Sequence, residues 1–299
     1  MTTIQIEQLV KQYRGRQQPA LDHVSLNIQS GMYGLLGKNG AGKSTLMKIL
    51  TTLEQPTSGK VLVDGTPLKD ARSIRRKIGY LPQQFGFYPT MKVIDAMTYL
   101  AILVEVPARD QKRRIERLLA AVHLTAQAKT KVKALSGGML QRLGIAQALV
   151  NEPRVLIVDE PTAGLDPEER IRFRNLLADF ANERLVLLST HIVSDVEATT
   201  NRIGILDHGR LVFNGTTDEL IDAAAGHVFV GDLPVAQLKQ FKTQYQISEQ
   251  TAHGQHIRVR FLARTPLATW QSVAPTLEEA YLYLQTQHHQ ALVKTVSGV

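Results

Sequence analysis

Residues 32–53 read MYGLLGKNGAGKSTLMKILTTL, and this stretch decides the fold. The apolar run Met32–Gly37 predicts a buried strand, and the apolar residues of Lys43–Leu53 recur at helical spacing. Between them, Gly37–Ser44 fits the G-x-x-x-x-G-K-[ST] pattern of a phosphate loop. A strand, this loop and a helix in that order predict an α/β fold with a phosphate-loop nucleotide site. The alternative is a glycine-rich turn with a chance Lys-Ser pair.

The residue types in the loop point to a nucleoside triphosphate. Glycines at 37, 40 and 42 let backbone N–H groups face phosphate oxygens without an obstructing Cβ atom, and the helix N-terminus adds positive potential. Lys43 is expected to reach the β- and γ-phosphates, and the Ser44 hydroxyl to bind Mg²⁺. We expect nucleotide contacts from Gly37, Lys38, Asn39, Gly40, Ala41, Gly42, Lys43, Ser44 and Thr45.

A second motif, VLIVDE at Val155–Glu160, is an apolar strand that ends in two acids. In a parallel sheet this ending places both carboxylates at the edge that holds the phosphate loop. Asp159 is then expected in the Mg²⁺ shell, and Glu160 is expected to polarise the attacking water. Two acids after a strand can also cap the next helix. Pro161 follows at once, however, and the next helix is predicted to begin near Pro167.

With LSGGMLQR at Leu135–Arg142, the combination resembles the ATP-binding cassette (ABC) family of ATPases, and the first two motifs resemble its Walker A and Walker B motifs. The resemblance implies that Ser136, Gly137 and Gly138 contact the γ-phosphate of the ATP bound by an opposing subunit. A Ser at a helix N-cap with two glycines leaves several N–H donors for one anion. Met139 stands where the family usually has Gln, and we expect this departure to tune activity without abolishing it.

Four further matches are carried over from the same resemblance. Ala163-Gly164-Leu165-Asp166 resembles the loop that crosses the dimer interface, and the resemblance implies that Asp166 contributes to nucleotide binding. His191 resembles the switch histidine that contacts the γ-phosphate and orients water. Gln83 resembles the glutamine that joins Mg²⁺ and water to the transport partner, with Gln84 as the competing assignment. Tyr13 resembles the aromatic residue that stacks on adenine, although a tyrosine closing a β-hairpin fits the local pattern equally well.

Composition agrees with an intracellular enzyme. The 299 residues contain no Cys, which excludes disulfides and thiol catalysis. No leader pattern or apolar run of membrane-spanning length is present, so we expect a protein that is soluble by itself. The net charge of +8 favours anionic partners, yet no arginine-rich tract or basic patch with interleaved aromatics predicts binding to nucleic acid.

The pattern predicts an ABC ATPase domain at residues 1–225 and a small C-terminal α+β region at 226–299. Strands are expected within Ile4–Gln29, an antiparallel subdomain under the adenine, and helices between about residues 90 and 150, the subdomain that carries the signature. The aromatic stretch Gln84–Pro89 is a candidate contact with a membrane subunit, or else a minor core. His288 and His289 have no spaced partner ligands and are expected in a solvated tail.

The resemblance implies the ATPase subunit of a transporter, with ATP and Mg²⁺ as ligands. Two cassettes, identical or paired with a second ATPase, would close around two ATP molecules and drive separate integral membrane permeases. This places the protein in the cytoplasm, on the inner face of the membrane. The segments GMYGLLG and EPTAGLDP are most similar to those of exporter-type ATPases with separate permeases.

Two other classes of cassette ATPase fit the sequence less well. A DNA-repair cassette would need a long coiled-coil insertion between Gln83 and Ser136, and a translation-factor cassette protein would usually carry two cassettes. A nucleotide-gated regulatory module without turnover remains the alternative.

Overall fold

The computed structural model describes residues 2–162, 165–182, 184–265, 267 and 269–297, with side chains up to residue 288. The chain divides into two compact units, Met1–Asn214 and Gly215–Val299. Both combine sheets and helices, so the predicted α/β class is confirmed. The functional division predicted at residue 225 stays a prediction.

The first unit is built on a six-stranded sheet of order β10-β9-β3-β8-β7-β6. Strand β3 pairs in parallel with β8 and β9, and β7 pairs in parallel with β6 and β8. Strands β7 and β8 are buried along their whole length, as expected for a sheet covered on both faces. Because β3, β8 and β7 are adjacent and parallel, the residues that follow them meet at one edge. The six strands are β3 (Gly31–Leu36), β6 (Ile78–Leu81), β7 (Val155–Asp159), β8 (Leu185–Thr190), β9 (Arg202–Asp207) and β10 (Arg210–Thr216).

A second, antiparallel sheet has the order β2-β1-β4-β5. Buried and exposed residues alternate along β1 and β2, the pattern of strands with one face on a core. The buried face packs in one cluster with Leu46 and Met47 of the helix that follows the phosphate loop. The strands are β1 (Thr3–Lys11), β2 (Leu21–Gln29), β4 (Ser58–Val63) and β5 (Thr66–Pro67).

The helices of the first unit largely follow the predicted spacing. The helix after the phosphate loop ends at Leu50, three residues earlier than expected, and Thr52 then adopts the left-handed conformation at φ 59°. The short helix Ala71–Lys77, capped by Asp70, was not predicted because it buries a single residue, Ile74. The helices are α1 (Lys43–Leu50), α2 (Ala71–Lys77), α3 (Val93–Leu103), α4 (Ala108–Ala121), α5 (Gly137–Leu149), α6 (Pro167–Ala181) and α7 (Val193–Glu197).

The second unit is an antiparallel sheet of order β12-β13-β11-β14 together with helices. Its core is aromatic: Phe241 and Trp270 pack on Phe261, with ring centroids 4.8 and 5.0 Å from it. Strand β12 was not predicted, since most of its side chains are exposed. The elements are α8 (Thr217–Ala223), β11 (Val228–Pro234), α9 (Leu238–Gln244), β12 (Gln246–His253), β13 (His256–Leu262), β14 (Gln271–Ser272) and α10 (Leu277–Ser297).

An enclosed ion pair stabilises this second unit. Glu279, 3% exposed, accepts hydrogen bonds from Arg260 (2.8 Å), the Ser248 hydroxyl (2.7 Å) and the Thr276 backbone (2.9 Å). Burial raises the pKa of this carboxyl, but these hydrogen bonds outweigh the effect of burial and hold the pKa at about 2.

Within the described part of the chain, no helix is both long and apolar enough to cross a membrane.

Candidate nucleotide site

The phosphate loop connects β3 to α1 in a conformation that requires its glycines. Gly42 has φ 110°, and a Cβ atom there would lie 2.6 Å from the Ala20 carbonyl oxygen. A Cβ atom on Gly37 would lie 2.6 Å from the Leu206 carbonyl oxygen. Any larger residue would force the loop away from its neighbours, so the backbone N–H groups of the loop are held in place by packing.

An open pocket of about 700 Å³ lies over this loop. Its volume falls within the range of small-molecule sites. Eight residues predicted for the site line it: Asn39, Gly40, Gly42, Lys43, Ser44, Thr45, Gln83 and Glu160. The rest of the lining, called here the unpredicted wall, comprises Arg16, Gln17, Gln18, Pro19, Ala20, His208 and Gly209.

The unpredicted wall is tied to the loop by backbone hydrogen bonds. The N–H of Gly209 donates to the Ala41 carbonyl (2.9 Å), and the N–H of Asp22 donates to the Gly209 carbonyl (2.8 Å). These contacts join segments more than 160 residues apart, and no sequence motif marks them. Tyr13 does not line the pocket; the centre of its ring lies 4.9 Å from the Lys11 ammonium and 5.6 Å from the Arg16 guanidinium.

Lys43 is a buried cation at the floor of the pocket, with 4% of its side chain exposed. Its ammonium donates to the carbonyl oxygens of Gly37 (2.6 Å) and Lys38 (3.2 Å). It also lies 3.1 Å from Glu160 Oε1. A phosphate group that enters the pocket would compete with this carboxylate for the ammonium.

Glu160 has both carboxylate oxygens engaged. Oε1 faces Lys43, and Oε2 lies 2.7 Å from Nδ1 of His191. The Glu160 side chain is 7% exposed, whereas His191 is 41% exposed. Glu160 adopts φ 49°, and its N–H donates to the Ser189 carbonyl (2.9 Å). A left-handed conformation is uncommon for a residue other than glycine, and here it directs the carboxylate into the pocket.

The pairing of Glu160 with His191 follows from the sheet. Asp159 at the end of β7 is the register partner of Ser189 on β8, so the residues just beyond the two strands lie side by side. A carboxylate hydrogen-bonded to an imidazole can accept a proton from water while the ring is held in orientation.

Three residues were predicted to bind Mg²⁺: Ser44, Gln83 and Asp159. Ser44 and Gln83 line the pocket. Asp159 is 2% exposed, and its Oδ1 atom is buried without a hydrogen-bond partner. Burial and the charge of Asp159 raise the pKa of the nearby Tyr80 phenol. Asp159 does not itself line the pocket. An unsatisfied carboxylate oxygen, a hydroxyl and an amide oxygen are nevertheless the kinds of ligand that Mg²⁺ prefers. Among the described residues, no group of three or more His, Cys, Asp or Glu could hold a metal ion.

The signature residues lie at the start of α5 and do not line the pocket. Ser136 is the N-cap, and its hydroxyl accepts from the Met139 N–H at 3.2 Å. A Cβ atom on Gly138 would lie 2.5 Å from the carboxylate of Glu169. Gly137 has open space around it. Gly137 therefore has no side chain in front of it, whereas the Glu169 carboxylate lies beside Gly138.

Asp166 caps α6, because its carboxylate accepts a hydrogen bond from the Glu169 N–H at 2.8 Å. Asp166 also lies outside the pocket lining. Ala163 and Gly164, predicted for the same loop, lie outside the described residues. Helices α5 and α6 are joined by Arg142, 7% exposed, which lies 3.4 Å from Glu169. The signature segment and the Asp166 cap are thereby linked.

Of the two candidate glutamines, Gln83 lines the pocket and Gln84 does not. The aromatic stretch that follows is divided. Phe85 and Phe87 pack against the helical core with ring centroids 6.0 Å apart. Tyr88 is 62% exposed and lies 6.1 Å from the ring of Tyr99.

Comparison with known proteins agrees with this geometry. The family model described as ABC transporter matches residues 21–163. An ABC transporter ATP-binding protein of Nostoc sp. is 41% identical over 206 residues, which cover 68% of this chain. The chain spans 61% of the length of that relative.

Two further relatives match over nearly the full chain. The Nod factor export ATP-binding protein I of Burkholderia pseudomallei is 33% identical, covering 94% of this chain and 96% of its own length. The methionine import ATP-binding protein MetN of Latilactobacillus sakei is 31% identical, with coverage of 95% and 92%.

Solved structures resemble most of the chain. The protein cbiO1 of Clostridium perfringens, part of the transporter complex cbiONQ, has a TM-score of 0.68 at 28% identity, covering 73% of this chain and 90% of its own. The ATP-binding cassette MJ0796, in a dimeric post-hydrolysis state bound to ADP and Pi, has a TM-score of 0.65 at 28% identity, covering 71% and 98%. The chain therefore belongs to the family of ABC transporter ATP-binding proteins.

Proposed function

We propose that this chain binds ATP with Mg²⁺ in the pocket over the phosphate loop and hydrolyses it, with Glu160 as general base. The observation that supports it is the chain of contacts from Lys43 through Glu160, which both line the pocket, to His191. Lys43 would bind the β- and γ-phosphates, Glu160 would accept the proton of the attacking water, and His191 would orient that water against the γ-phosphate. A Mg²⁺ ion held by Ser44, Gln83 and Asp159 would neutralise phosphate charge.

We further propose that the working unit contains two cassettes. Ser136, Gly137, Gly138 and Asp166 do not line the pocket of their own chain, which supports a role at the nucleotide of an opposing cassette. The dimeric relative bound to ADP and Pi supports the same arrangement. ATP would favour the closed dimer by contacting both chains, and hydrolysis would remove those contacts.

A separate membrane permease is the proposed partner, with export as the proposed direction. The Nod factor export relative supports export, while the methionine import relative matches equally far along the chain. The proposed contact is an exposed apolar patch formed by Tyr88, Tyr99, Ile102 and Leu103, which are 42–62% exposed. Exposed apolar side chains grouped in this way are typical of protein-binding surfaces.

Phosphate release by the purified chain tests the proposal against the alternative of a nucleotide-gated module. Multiple turnovers are expected, whereas release of no more than one phosphate per chain would indicate a module without turnover.

Mixing inactive Lys43→Ala and Ser136→Arg chains tests the shared site, because one of the two sites in a mixed dimer then carries neither change. Recovery of activity is expected if one intact site suffices.

A further inference from the structure

Asp195 is a fully buried carboxylate in the described part of the chain, with 0% of the residue exposed. It lies on α7, four residues after His191. Burying a carboxylate is costly unless cations and hydrogen-bond donors compensate. Its partner Thr162 lies within the EPTAGLDP segment, but the sequence analysis assigned no role to Thr162 or to Asp195.

The carboxylate of Asp195 is bound from two directions. Its Oδ2 atom accepts a short hydrogen bond from the Thr162 hydroxyl, which is also buried. Its Oδ1 atom has no hydrogen bond but faces two arginines of α6, with Arg174 Nη1 at 3.7 Å and Arg170 Nε at 4.0 Å. Arg174 also donates to the Ser194 carbonyl at 3.1 Å. Helix α7 is therefore held to α6 and to the turn after β7.

This arrangement forms a second bridge between the two segments that carry the hydrolytic pair. Thr162 follows Glu160 by two residues, as Asp195 follows His191 by four. The first bridge is the contact of 2.7 Å between Glu160 Oε2 and His191 Nδ1. A single contact leaves a half-exposed imidazole free to rotate away, whereas two contacts between the same segments fix their spacing.

We propose that Asp195 is a positioning residue that, through Thr162, holds His191 against Glu160 for hydrolysis. This inference rests on the proposed function, because it assigns Asp195 no chemistry of its own. A purely stabilising ion pair would affect folding and leave turnover of the folded protein unchanged. Positioning predicts an effect on kcat that depends on His191.

Thr162→Val tests the inference, because valine keeps the shape of threonine and removes the hydroxyl that bonds Asp195. We expect kcat for ATP hydrolysis to fall about tenfold while KM stays within about twofold. Thr162→Ser restores the hydroxyl and should recover most of the lost turnover. The matched control is Thr199→Val, because the Thr199 hydroxyl donates at 2.6 Å to the backbone carbonyl of Asp195 and not to its carboxylate. We expect this control to match the wild type.

The Thr162→Val change is then repeated in a His191→Ala background, with single-turnover phosphate release as the readout. Because Asp195 is proposed to act through His191, Thr162→Val should change the residual rate less than about twofold there. Equal losses in both backgrounds, or an unchanged kcat for folded Thr162→Val, would overturn the inference while leaving the proposed function intact. Wild-type turnover in His191→Ala would instead remove His191 from hydrolysis and the inference with it. Circular dichroism melting verifies that each variant is folded.

Discussion

Replacing Glu160 by Gln should separate ATP binding from ATP hydrolysis. The amide keeps the size of the side chain and removes the charge that accepts a proton. General-base catalysis contributes about 10²–10⁴-fold, or about 3–5 kcal/mol of barrier, so turnover should fall by that factor. ATP binding should persist or strengthen. In Glu160→Gln the Lys43 ammonium still donates to the Gly37 and Lys38 carbonyls, and the carboxylate that would compete with a phosphate group for this ammonium is removed.

Phosphate release and titration calorimetry with ATP measure the two quantities on the same preparation. The matched control is Glu168→Gln, which removes the same charge from a side chain that is 76% exposed on α6. That variant should keep turnover within about twofold of the wild type, as surface charge changes usually do. Turnover of Glu160→Gln within about tenfold of the wild type would refute the assignment of a general base.

Three further outcomes are expected. Lys43→Ala should weaken ATP binding at least about tenfold by calorimetry, because a buried phosphate contact is lost; equal affinity would argue against the phosphate-loop role. Gly42→Ala should lower both the melting temperature and ATP affinity, since its Cβ atom would clash with Ala20; an unchanged affinity would contradict this. Glu279→Gln should destabilise the second unit by about 3 kcal/mol at pH 7, because the pKa lies at about 2 instead of 4.5. A lowered carboxyl pKa stabilises the fold above pH 4.5, so the difference in unfolding free energy between wild type and Glu279→Gln should shrink between pH 4.5 and 2. The fluorescence of Trp270, the sole tryptophan, measures this unfolding in urea titrations. A difference that stays constant over this pH range would contradict the prediction.

Local patterns allowed the phosphate loop to be predicted from sequence. Its strand, glycines and helix are consecutive, and the structure places eight of the predicted residues around one pocket. The order of Glu160 and His191 behind their strands was also visible. Their contact depends on β7 and β8 being neighbours, which the register of Asp159 with Ser189 provides.

Long-range contacts account for what the sequence did not reveal. The Arg16–Ala20 wall reaches the loop through Gly209, and no periodicity records that approach. The sequence assigned no role to Thr162 or Asp195, yet both are buried, and the Thr162 hydroxyl donates to the Asp195 carboxylate. Strand β12 escaped prediction since its exposed side chains carry no alternation.

Sedimentation velocity of the Glu160→Gln chain, with and without ATP, tests whether ATP is held between two cassettes. We expect a monomer without nucleotide and a dimer with ATP. We also expect that adding Ser136→Arg to the same chain keeps it monomeric while ATP remains bound. A monomer at every protein concentration with ATP bound to Glu160→Gln would contradict the shared site.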